Sequence, residues 1–353
     1  MIAVSAPGKI HLLGEHSVVY GKPAILTAVD RRTTITLTER RDDFVVITTP
    51  DLSQTAKLTQ EQIIEKTVHA RRIWEEFTKT NNKNLLQTIT ATPIDFAILA
   101  IGESLLHFSR KLSKGLAFSA NSTIFQGSGM GSSSALAVAI AGAFSVFFNQ
   151  KLDKEIINTI AFETEKKRHG FPSGGDNTAS TYGGFIWYQK NDKEKTIKNL
   201  PISLSKNIQQ SCSLLFTGNP IETTGDMVSF VRKQYEDQKE KVDHIFSDQS
   251  DLVIKLKSAL ERDDLEEIKK IITNGERNLE KIGVVSPASQ KIMREIEKLK
   301  GAAKICGAGG IKKSSGVILV VHQDQKMIQK IANYNNIIYS PVALGQEGVR
   351  IEK

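Results

Sequence analysis

The chain has 353 residues, 40% of them hydrophobic and 24% charged, which is the composition of an ordinary globular protein large enough for two lobes. The longest apolar run, residues 135–148, is shorter than the roughly 20 residues that cross a bilayer, and no secretory signal is visible, so we expect no membrane partner. The net charge of +8 comes from basic residues dispersed in short pairs, which argues against nucleic-acid binding and favours anionic small molecules as partners.

The first fifty residues are rich in short runs typical of β-strands, which are separated by Pro and Gly turns. The predicted strands are residues 2–5, 9–13, 24–29, 33–38 and 43–49. Helical spacing of apolar residues follows at 60–78 and 93–106, and residues 116–125 alternate loosely before a glycine-rich loop. Helices at 133–148 and 154–168, a second loop at 170–184 and a strand at 185–188 complete this half.

The composition changes after the polar stretch 190–198. A strand at 213–217 precedes successive amphipathic helices over 221–299, and the chain closes with a strand at 315–322, a helix and a strand near 337–339. The strands and helices do not alternate regularly, which favours the α+β class. We therefore predict two α+β domains, an N-terminal one over residues 1–190 and a C-terminal one over residues 191–353.

The first glycine-rich loop lies between a predicted strand and a strongly apolar helix. It consists of Gly127, Ser128, Gly129, Met130, Gly131, Ser132, Ser133 and Ser134. Glycines let the backbone turn sharply and approach a ligand, and the free N–H groups of a helix start favour an anion. The serines can cap the helix or offer hydroxyls to phosphate or metal. A simple glycine turn explains three glycines and three consecutive serines poorly, so we predict a phosphate-binding loop, although no Walker A, GxGxxG or protein-kinase motif occurs.

The other two loops are ambiguous when each is considered alone. Asp176, in the second loop, could simply stabilise the turn, and Lys9 could be an ordinary surface lysine after Pro7-Gly8. On the preceding helix, Glu163 and Glu165 both fall at the border of the apolar face, so periodicity does not choose between them. The third loop, residues 306–310, is most simply a turn that enters a strand.

Taken together, the loops resemble a known family. Residues 6–24 (APGKIHLLGEHSVVYGKPA) closely resemble the opening motif of mevalonate kinases, which belong to the galactokinase, homoserine kinase, mevalonate kinase and phosphomevalonate kinase (GHMP) superfamily. Residues 127–135, 172–184 and 307–310 match further motifs of the family in the family's order. The resemblance implies a two-lobed kinase with ATP, Mg²⁺ and mevalonate in the cleft between the lobes, and dimers are common in this family. The two distant cysteines, Cys212 and Cys306, indicate a reducing, cytoplasmic location.

The resemblance also implies roles for single residues. Asp176 would be the general base or orient the acceptor hydroxyl, and Lys9 would neutralise charge near the γ-phosphate. Ser133 and Glu165 would hold Mg²⁺, since the spacing Glu-x-x-x-His-Gly from Glu165 matches the family and that from Glu163 does not. The glycine-rich loop would hold ATP. The residues expected to contact the acceptor are Lys9, Glu15, His16, Asp176 and Gly309.

Two departures from the family pattern leave alternatives open. The first is an extra serine, Ser134, because of which Ser132 or Ser134 could be the metal ligand instead of Ser133. The second is the pair Lys312-Lys313, which interrupts the third glycine motif. That lysine pair would suit an acceptor with a phosphate, as in phosphomevalonate kinase. Galactokinase and homoserine kinase fit the motif combination less well. A non-catalytic nucleotide-binding sensor is a further alternative, which the presence of Lys9, Glu165 and Asp176 disfavours.

Overall fold

The computed structural model describes residues 1–49, 53–125, 127–148, 151–191 and 194–352; Asp192 and Lys193 of the polar stretch lie outside this range. Within it the strands are β1 (Ile2–Leu13), β2 (Ala24–Glu39), β3 (Phe44–Thr49), β4 (Gln54–Thr59), β5 (Leu116–Ser122), β6 (Phe185–Lys190), β7 (Lys195–Leu200), β8 (Cys212–Phe216), β9 (Ala302–Ile305), β10 (Val317–Val321), β11 (Ile338–Pro341) and β12 (Arg350–Ile351). The helices described are α1 (Gln60–Thr80), α2 (Asn84–Ile89), α3 (Pro93–Phe108), α4 (Ser132–Phe147), α5 (Lys154–His169), α6 (Gly175–Tyr182), α7 (Lys206–Gln210), α8 (Thr224–Asp237), α9 (Lys239–Glu261), α10 (Leu265–Lys281), α11 (Pro287–Lys298) and α12 (Gln325–Tyr334). The α+β prediction is confirmed.

The first sheet has the strand order β12-β1-β2-β5-β3-β4. The long strand β2 also pairs with β6 through Ala24–Thr27, and β6 pairs with β7. Helix α4 packs on β1 and β2, with α3, α5 and α6 beside it. Most of α4 is buried, and its many alanines allow close contact with the strands, so the apolar run is a core helix as predicted.

Strand β1 passes through Pro7-Gly8, where the sequence predicts a break between two strands. The structure has one continuous strand whose register against β2 shifts between Pro7 and Lys9. A bulge of this kind absorbs the proline and re-aims the following side chain without ending the strand. The same correction applies to β2, which runs unbroken where two strands are predicted.

The second sheet is antiparallel, with the order β11-β8-β10-β9. The amphipathic helices predicted over residues 221–299 are confirmed as α8 to α11. Helix α10 buries Ile268, Ile271, Ile272 and Leu279, the spacing of one helical face, and contacts β9. Helix α10 also contacts β1, so it packs against strands of both sheets, and α9 contacts β1 and β2. No helix in the described part of the chain is long and apolar enough to cross a membrane.

The predicted division at residue 190 falls inside the β6–β7 hairpin, which belongs to the first sheet. The second sheet begins with β8, after the short helix α7. We therefore propose a division between Leu200 and Cys212, and the boundary itself remains a prediction. The polar residues of β7 resemble a linker in the sequence, which is why the sequence alone favours residue 190.

Candidate active site

Lys9 and Asp176 meet at the centre of the site. Lys9 Nζ lies 3.1 Å from Asp176 Oδ1, and the lysine side chain is 5% exposed whereas the aspartate side chain is 38% exposed. The backbone N–H of Lys9 donates to the carbonyl of Met130 at 2.9 Å, which ties the bulge of β1 to the glycine-rich loop. The structure thus brings together two residues that lie 167 positions apart and leaves the carboxylate accessible from the cleft.

The glycine-rich loop needs its glycines for two physical reasons. Gly127, Gly129 and Gly131 have φ angles of +68°, +77° and +69°, in the left-handed region that favours glycine. A Cβ on Gly131 would also lie 3.1 Å from Lys9 Cγ and 3.2 Å from its Cε, and a Cβ on Gly129 would lie 3.2 Å from the carbonyl oxygen of Cys306. The loop therefore packs against both the first and the third motif.

Helix α4 begins without a side-chain cap. Its N-cap residue is Gly131, and no side chain among the described residues accepts a hydrogen bond there, so none of the three serines caps this helix. The N–H groups of the first turn therefore remain available to a ligand, and the helix dipole favours an anion at this place. Met130 is buried, and the Ser128 hydroxyl donates to the carbonyl of Phe125.

The three consecutive serines differ in position. Ser132 and Ser133 are half-buried and line a cavity of about 160 Å³ beside the start of α4. Ser134 is fully buried, and no described residue forms a hydrogen bond with its hydroxyl. The walls of the cavity are mostly apolar, with Arg168 at its edge above the ring of Phe96, 5.5 Å from the ring centroid. Arg168 is a cavity residue that motif matching does not identify.

Glu165 is a buried carboxylate on α5 with an incomplete set of partners. Its Oε2 lies 3.4 Å from His169 Nε2, and its Oε1 has no hydrogen-bond partner among the residues that the structure describes. Burial raises the pKa of Glu165, while His169 and the nearby Ser133 hydroxyl oppose the rise and Asp176 adds to it. An unpartnered carboxylate oxygen beside a serine hydroxyl fits the hard oxygen ligands that Mg²⁺ prefers. Within the described residues no group of three or more His, Cys, Asp or Glu could hold a metal alone, but Mg²⁺ bound to phosphates needs only one or two carboxylates.

Asp176 lies in the first turn of α6, where the sequence predicts a loop. That prediction is wrong for Gly175–Tyr182, although Gly174 before the helix does adopt a left-handed φ of +81°. Asn177 anchors the helix, because its side-chain amide donates to Asn158 Oδ1 on α5 at 2.6 Å. The first turn of a helix, rather than a loop, therefore fixes the direction in which the Asp176 side chain points.

His16 lies between the first and third motifs. It is buried with a left-handed φ of +59°, and its Nε2 lies 3.0 Å from the carbonyl oxygen of Ala308. Burial lowers the pKa of His16 to about 4, so the ring is neutral at physiological pH and Nε2–H donates to that carbonyl. The other ring nitrogen, Nδ1, then carries a lone pair, and none of the described residues donates a hydrogen bond to it.

Glu15 and Gly309 occupy positions beneath the cleft. Glu15 is buried and one of its oxygens accepts from Lys304, a residue of β9 that motif matching also misses. Gly309 is buried, and a Cβ there would lie 2.1 Å from the carbonyl oxygen of Val284. Their predicted contact with an acceptor stays a prediction. A lysine in the otherwise apolar segment Ala302–Ile305 is the sequence feature that could have identified Lys304.

Comparison with known proteins agrees with this geometry. Residues 98–184 match the GHMP kinases N terminal domain, and residues 256–311 match GHMP kinases C terminal. The mevalonate kinase of Thermococcus sibiricus is 30% identical, with 99% of this chain and 98% of that protein covered. That of Pyrococcus furiosus is 30% identical over 88% of this chain and 85% of its own length.

The solved structures agree on the fold. A crystal structure of a mevalonate kinase superposes with a TM-score of 0.78 at 22% identity and covers 98% of this chain and 100% of its own. The Methanococcus jannaschii mevalonate kinase gives a TM-score of 0.78 at 22% identity, with 98% of each chain covered. Fold and site together define a GHMP kinase, a class in which ATP is the phosphate donor. Within that class, the similarity to mevalonate kinases extends over nearly the whole of this chain. The chain belongs to the mevalonate kinase family.

Proposed function

We propose that this chain transfers the γ-phosphoryl group of ATP to the primary hydroxyl of mevalonate, giving 5-phosphomevalonate and ADP. The observation that carries the proposal is the ion pair between Lys9 and Asp176, held against Gly131 at the uncapped start of α4. It joins a proton acceptor, a cation and an anion-binding helix start in one place, which is the set that phosphoryl transfer to an alcohol requires.

In the proposed reaction, Asp176 orients the acceptor hydroxyl and accepts its proton as the bond from that oxygen to the γ-phosphorus forms. The bond between the γ-phosphorus and the bridging oxygen breaks, and ADP leaves with the electron pair. Lys9 lies close enough to stabilise the negative charge on the attacking oxygen and the transferred group. An aspartate is a weak base in water, but proton loss late in the transfer needs little basicity.

The phosphates of ATP would bind at the loop of residues 127–131 and the N–H groups of the first turn of α4. The cavity beside Ser132 and Ser133 would take the nucleoside, with apolar walls for the base and Arg168 at the edge. Ser133 and Glu165 would hold Mg²⁺, and Ser133 is favoured over Ser134, whose hydroxyl faces the protein interior. When bound, the ion would neutralise charge on the phosphates.

The neutral state of His16 constrains how it can bind an acceptor. Its one N–H is used by the carbonyl of Ala308, so Nδ1 can only accept a hydrogen bond. His16 would therefore recognise a hydroxyl group of mevalonate and would not pair with the carboxylate of mevalonate through charge. This supports an acceptor that carries a second hydroxyl near the reacting one.

A coupled assay of ADP release tests the proposal. The purified protein would be incubated with ATP, Mg²⁺ and one of four acceptors: mevalonate, 5-phosphomevalonate, galactose or homoserine. We expect turnover with mevalonate, and its loss when Mg²⁺ is removed with a chelator. Turnover only with 5-phosphomevalonate would sink the assignment of the acceptor. No turnover with any acceptor, despite ATP binding, would favour the non-catalytic sensor.

Two finer predictions complete the proposal. We propose a homodimer, as the family resemblance suggests, and light scattering on the eluted protein would measure the mass directly. We also propose a cytoplasmic location, supported by Cys212 and Cys306, which are both buried as free thiols. Fractionation of the source cells would test it.

A further inference from the structure

One buried lysine connects the first and third motifs beneath His16. Lys304, on β9, has a fully buried side chain. Its ammonium donates to a carboxylate oxygen of Glu15, to the backbone carbonyl of Ile305 and, at 3.3 Å, to that of His11. All three donors of the ammonium are therefore used by protein oxygens, two from the first motif and one from the entrance to the third.

Neighbouring acidic groups offset the cost of burying the charge of Lys304. Burial opposes the charged form of Lys304, but the charge of Glu15 and the hydrogen bond to it, with Cys306 and Glu276 adding to them, outweigh burial and raise the pKa of Lys304. Glu276, on α10, accepts the backbone N–H of Ile305 at 2.9 Å, and burial raises the pKa of Glu276 to about 8. Burial likewise raises the pKa of Glu15, with Lys304 opposing that rise, so the cluster places two buried carboxyl groups beside one buried ammonium. Buried ion pairs contribute little net stability, so their retention calls for another reason.

We find that reason at His16, the neighbour of Glu15 in the chain. His16 follows Glu15 directly and adopts a left-handed backbone, a conformation that costs a non-glycine residue about 1–3 kcal/mol. Such strain persists only where neighbouring contacts over-determine the geometry. Lys304 holds Glu15 on one side of the hydrogen bond from His16 to Ala308, and on the other side it holds Ile305, three residues before Ala308. One ammonium thus fixes both ends of that hydrogen bond.

We propose that Lys304 is a positioning residue for the acceptor, because it fixes His16 against the third glycine-rich loop. Lys304 touches none of the reacting groups, and its contacts all go to protein atoms. The inference rests on the proposed function only in taking His16 as an acceptor contact. A merely structural lysine would change stability and leave both the state of His16 and the KM for the acceptor unaltered.

The test compares Lys304→Met with the unmodified protein by two readouts. The first is the pKa of the His16 ring, measured by NMR on protein labelled in its histidines and assigned with His16→Gln. We expect this pKa to rise from about 4 toward 6.5, because the released ring gains solvent. The second readout is steady-state kinetics. We expect the KM for mevalonate to rise at least about tenfold and the KM for ATP to change less than about threefold.

Ile296→Ala serves as the matched control for lost stability. Ile296 is fully buried on α11 in the core of the second sheet, and its truncation lowers the melting temperature while Lys304, Glu15 and Glu276 all remain present. If Lys304→Met does not fold, the double variant Lys304→Met/Glu15→Gln removes both charges together, which spares the protein an unpaired buried carboxylate. We expect the same rise in the pKa of His16 in the double variant.

A folded Lys304→Met or double variant that keeps the His16 pKa and the KM for mevalonate of the unmodified protein would overturn the inference. The same holds if Ile296→Ala shifts both readouts as much as Lys304→Met. Absence of mevalonate turnover in the unmodified protein would overturn the proposed function alone, since the titration of His16 still decides whether Lys304 fixes this residue.

Discussion

The site contains two lysine–carboxylate pairs, one partly exposed and one buried. Strand β1 carries a residue of the first pair and ends just before a residue of the second. Lys9 on β1 pairs with Asp176, whose side chain is 38% exposed, whereas Glu15, just after β1, pairs with Lys304 at 2% and 0% exposure. The chemistry of the two pairs is the same, but their access to solvent differs. A pair that solvent reaches can be parted by an incoming ligand, while a pair without solvent has no other partner available.

The difference in exposure separates a pair that can take part in the reaction from a pair that supports the structure of the site. Asp176 can exchange its lysine for an acceptor hydroxyl because the carboxylate is partly exposed to solvent. Glu15 has no such freedom, because removing Lys304 would leave a buried charge uncompensated. We call Lys9 and Asp176 the open pair, and Lys304, Glu15 and Glu276 the closed cluster. We expect variants of the open pair to change turnover mainly, and variants of the closed cluster to change stability and acceptor binding.

The largest expected effect is the loss of turnover in Asp176→Asn. The amide keeps the size of the side chain but cannot accept the hydroxyl proton, so we expect kcat to fall at least about 10³-fold. ATP binding, measured by calorimetry, should change less than about threefold, since the variant keeps the loop and the start of α4 that would hold the phosphates. A fully active variant would refute the role of Asp176 and remove the contrast between the two pairs.

The next effect concerns the pH dependence of stability in the closed cluster. The pKa of Glu276 is raised from 4.5 to about 8 by burial, with Lys304 opposing and Glu280 and Glu15 adding to the rise. A carboxyl group with a raised folded-state pKa contributes stability below the unfolded pKa and loses it as pH rises through the folded one. The fold should therefore lose on the order of 4 kcal/mol between about pH 4.5 and 8 through this group.

Glu276→Gln provides the measurement for that prediction. Denaturant unfolding across the pH range should give a flatter profile for the variant than for the unmodified protein, because glutamine does not titrate. Parallel profiles for the two proteins would show that Glu276 is ionised or solvated in the fold, and the description of the closed cluster would fail.

A smaller effect is expected at the proposed metal ligand. Glu165→Gln removes the charge while keeping an oxygen, so the Mg²⁺ concentration for half-maximal activity should rise about 10–100-fold. Glu163→Gln is the matched control on the same helix, since Glu163 pairs with Lys166 and Lys167 instead. Equal responses of the two variants would contradict the choice of Glu165 and would place the ion elsewhere.

The smallest effect is expected from Gly131→Ala. Its left-handed φ of +69° costs alanine about 1–2 kcal/mol, and the new methyl group would press on Lys9. We expect kcat to fall about tenfold as Lys9 moves away from Asp176. Gly225→Ala is the control, because a Cβ there meets only Thr223 Oγ1 at 3.7 Å. Retained activity in Gly131→Ala would mean that the spacing between Lys9 and Asp176 tolerates displacement.

The sequence predicts the parts of the site that depend on local backbone geometry. Gly127, Gly129 and Gly131 could be recognised because left-handed turns need glycine, and the apolar run after them identified the core helix. The pairing of Lys9 with Asp176 could not come from periodicity, since it joins a strand to a helix far along the chain. Only the resemblance of ordered motifs put the two residues in one place.

The remaining discrepancies have physical causes. Asp176 was expected in a loop because glycine and proline before it indicate turns, but Ala179 and Thr181 are buried and tertiary packing extends a helix there. Lys304 escaped notice because a single lysine in a strand is normally exposed, and its burial depends on carboxylates from Glu15 and Glu276. Propensity rules describe one segment at a time and do not contain such partners.

The short strand β12 ties the end of the described chain to its beginning. It pairs Val4 with Ile351 and Ser5 with Arg350, a few residues before Lys9 on the same strand. Arg32, on the other neighbour of β1, donates to the carbonyl oxygens of Glu347 and Gly348. During synthesis, β1 leaves the ribosome long before β12 and must wait for the segment between them before this edge of its sheet is closed. The strand that presents Lys9 is thus completed only after the second sheet and its helices have been made.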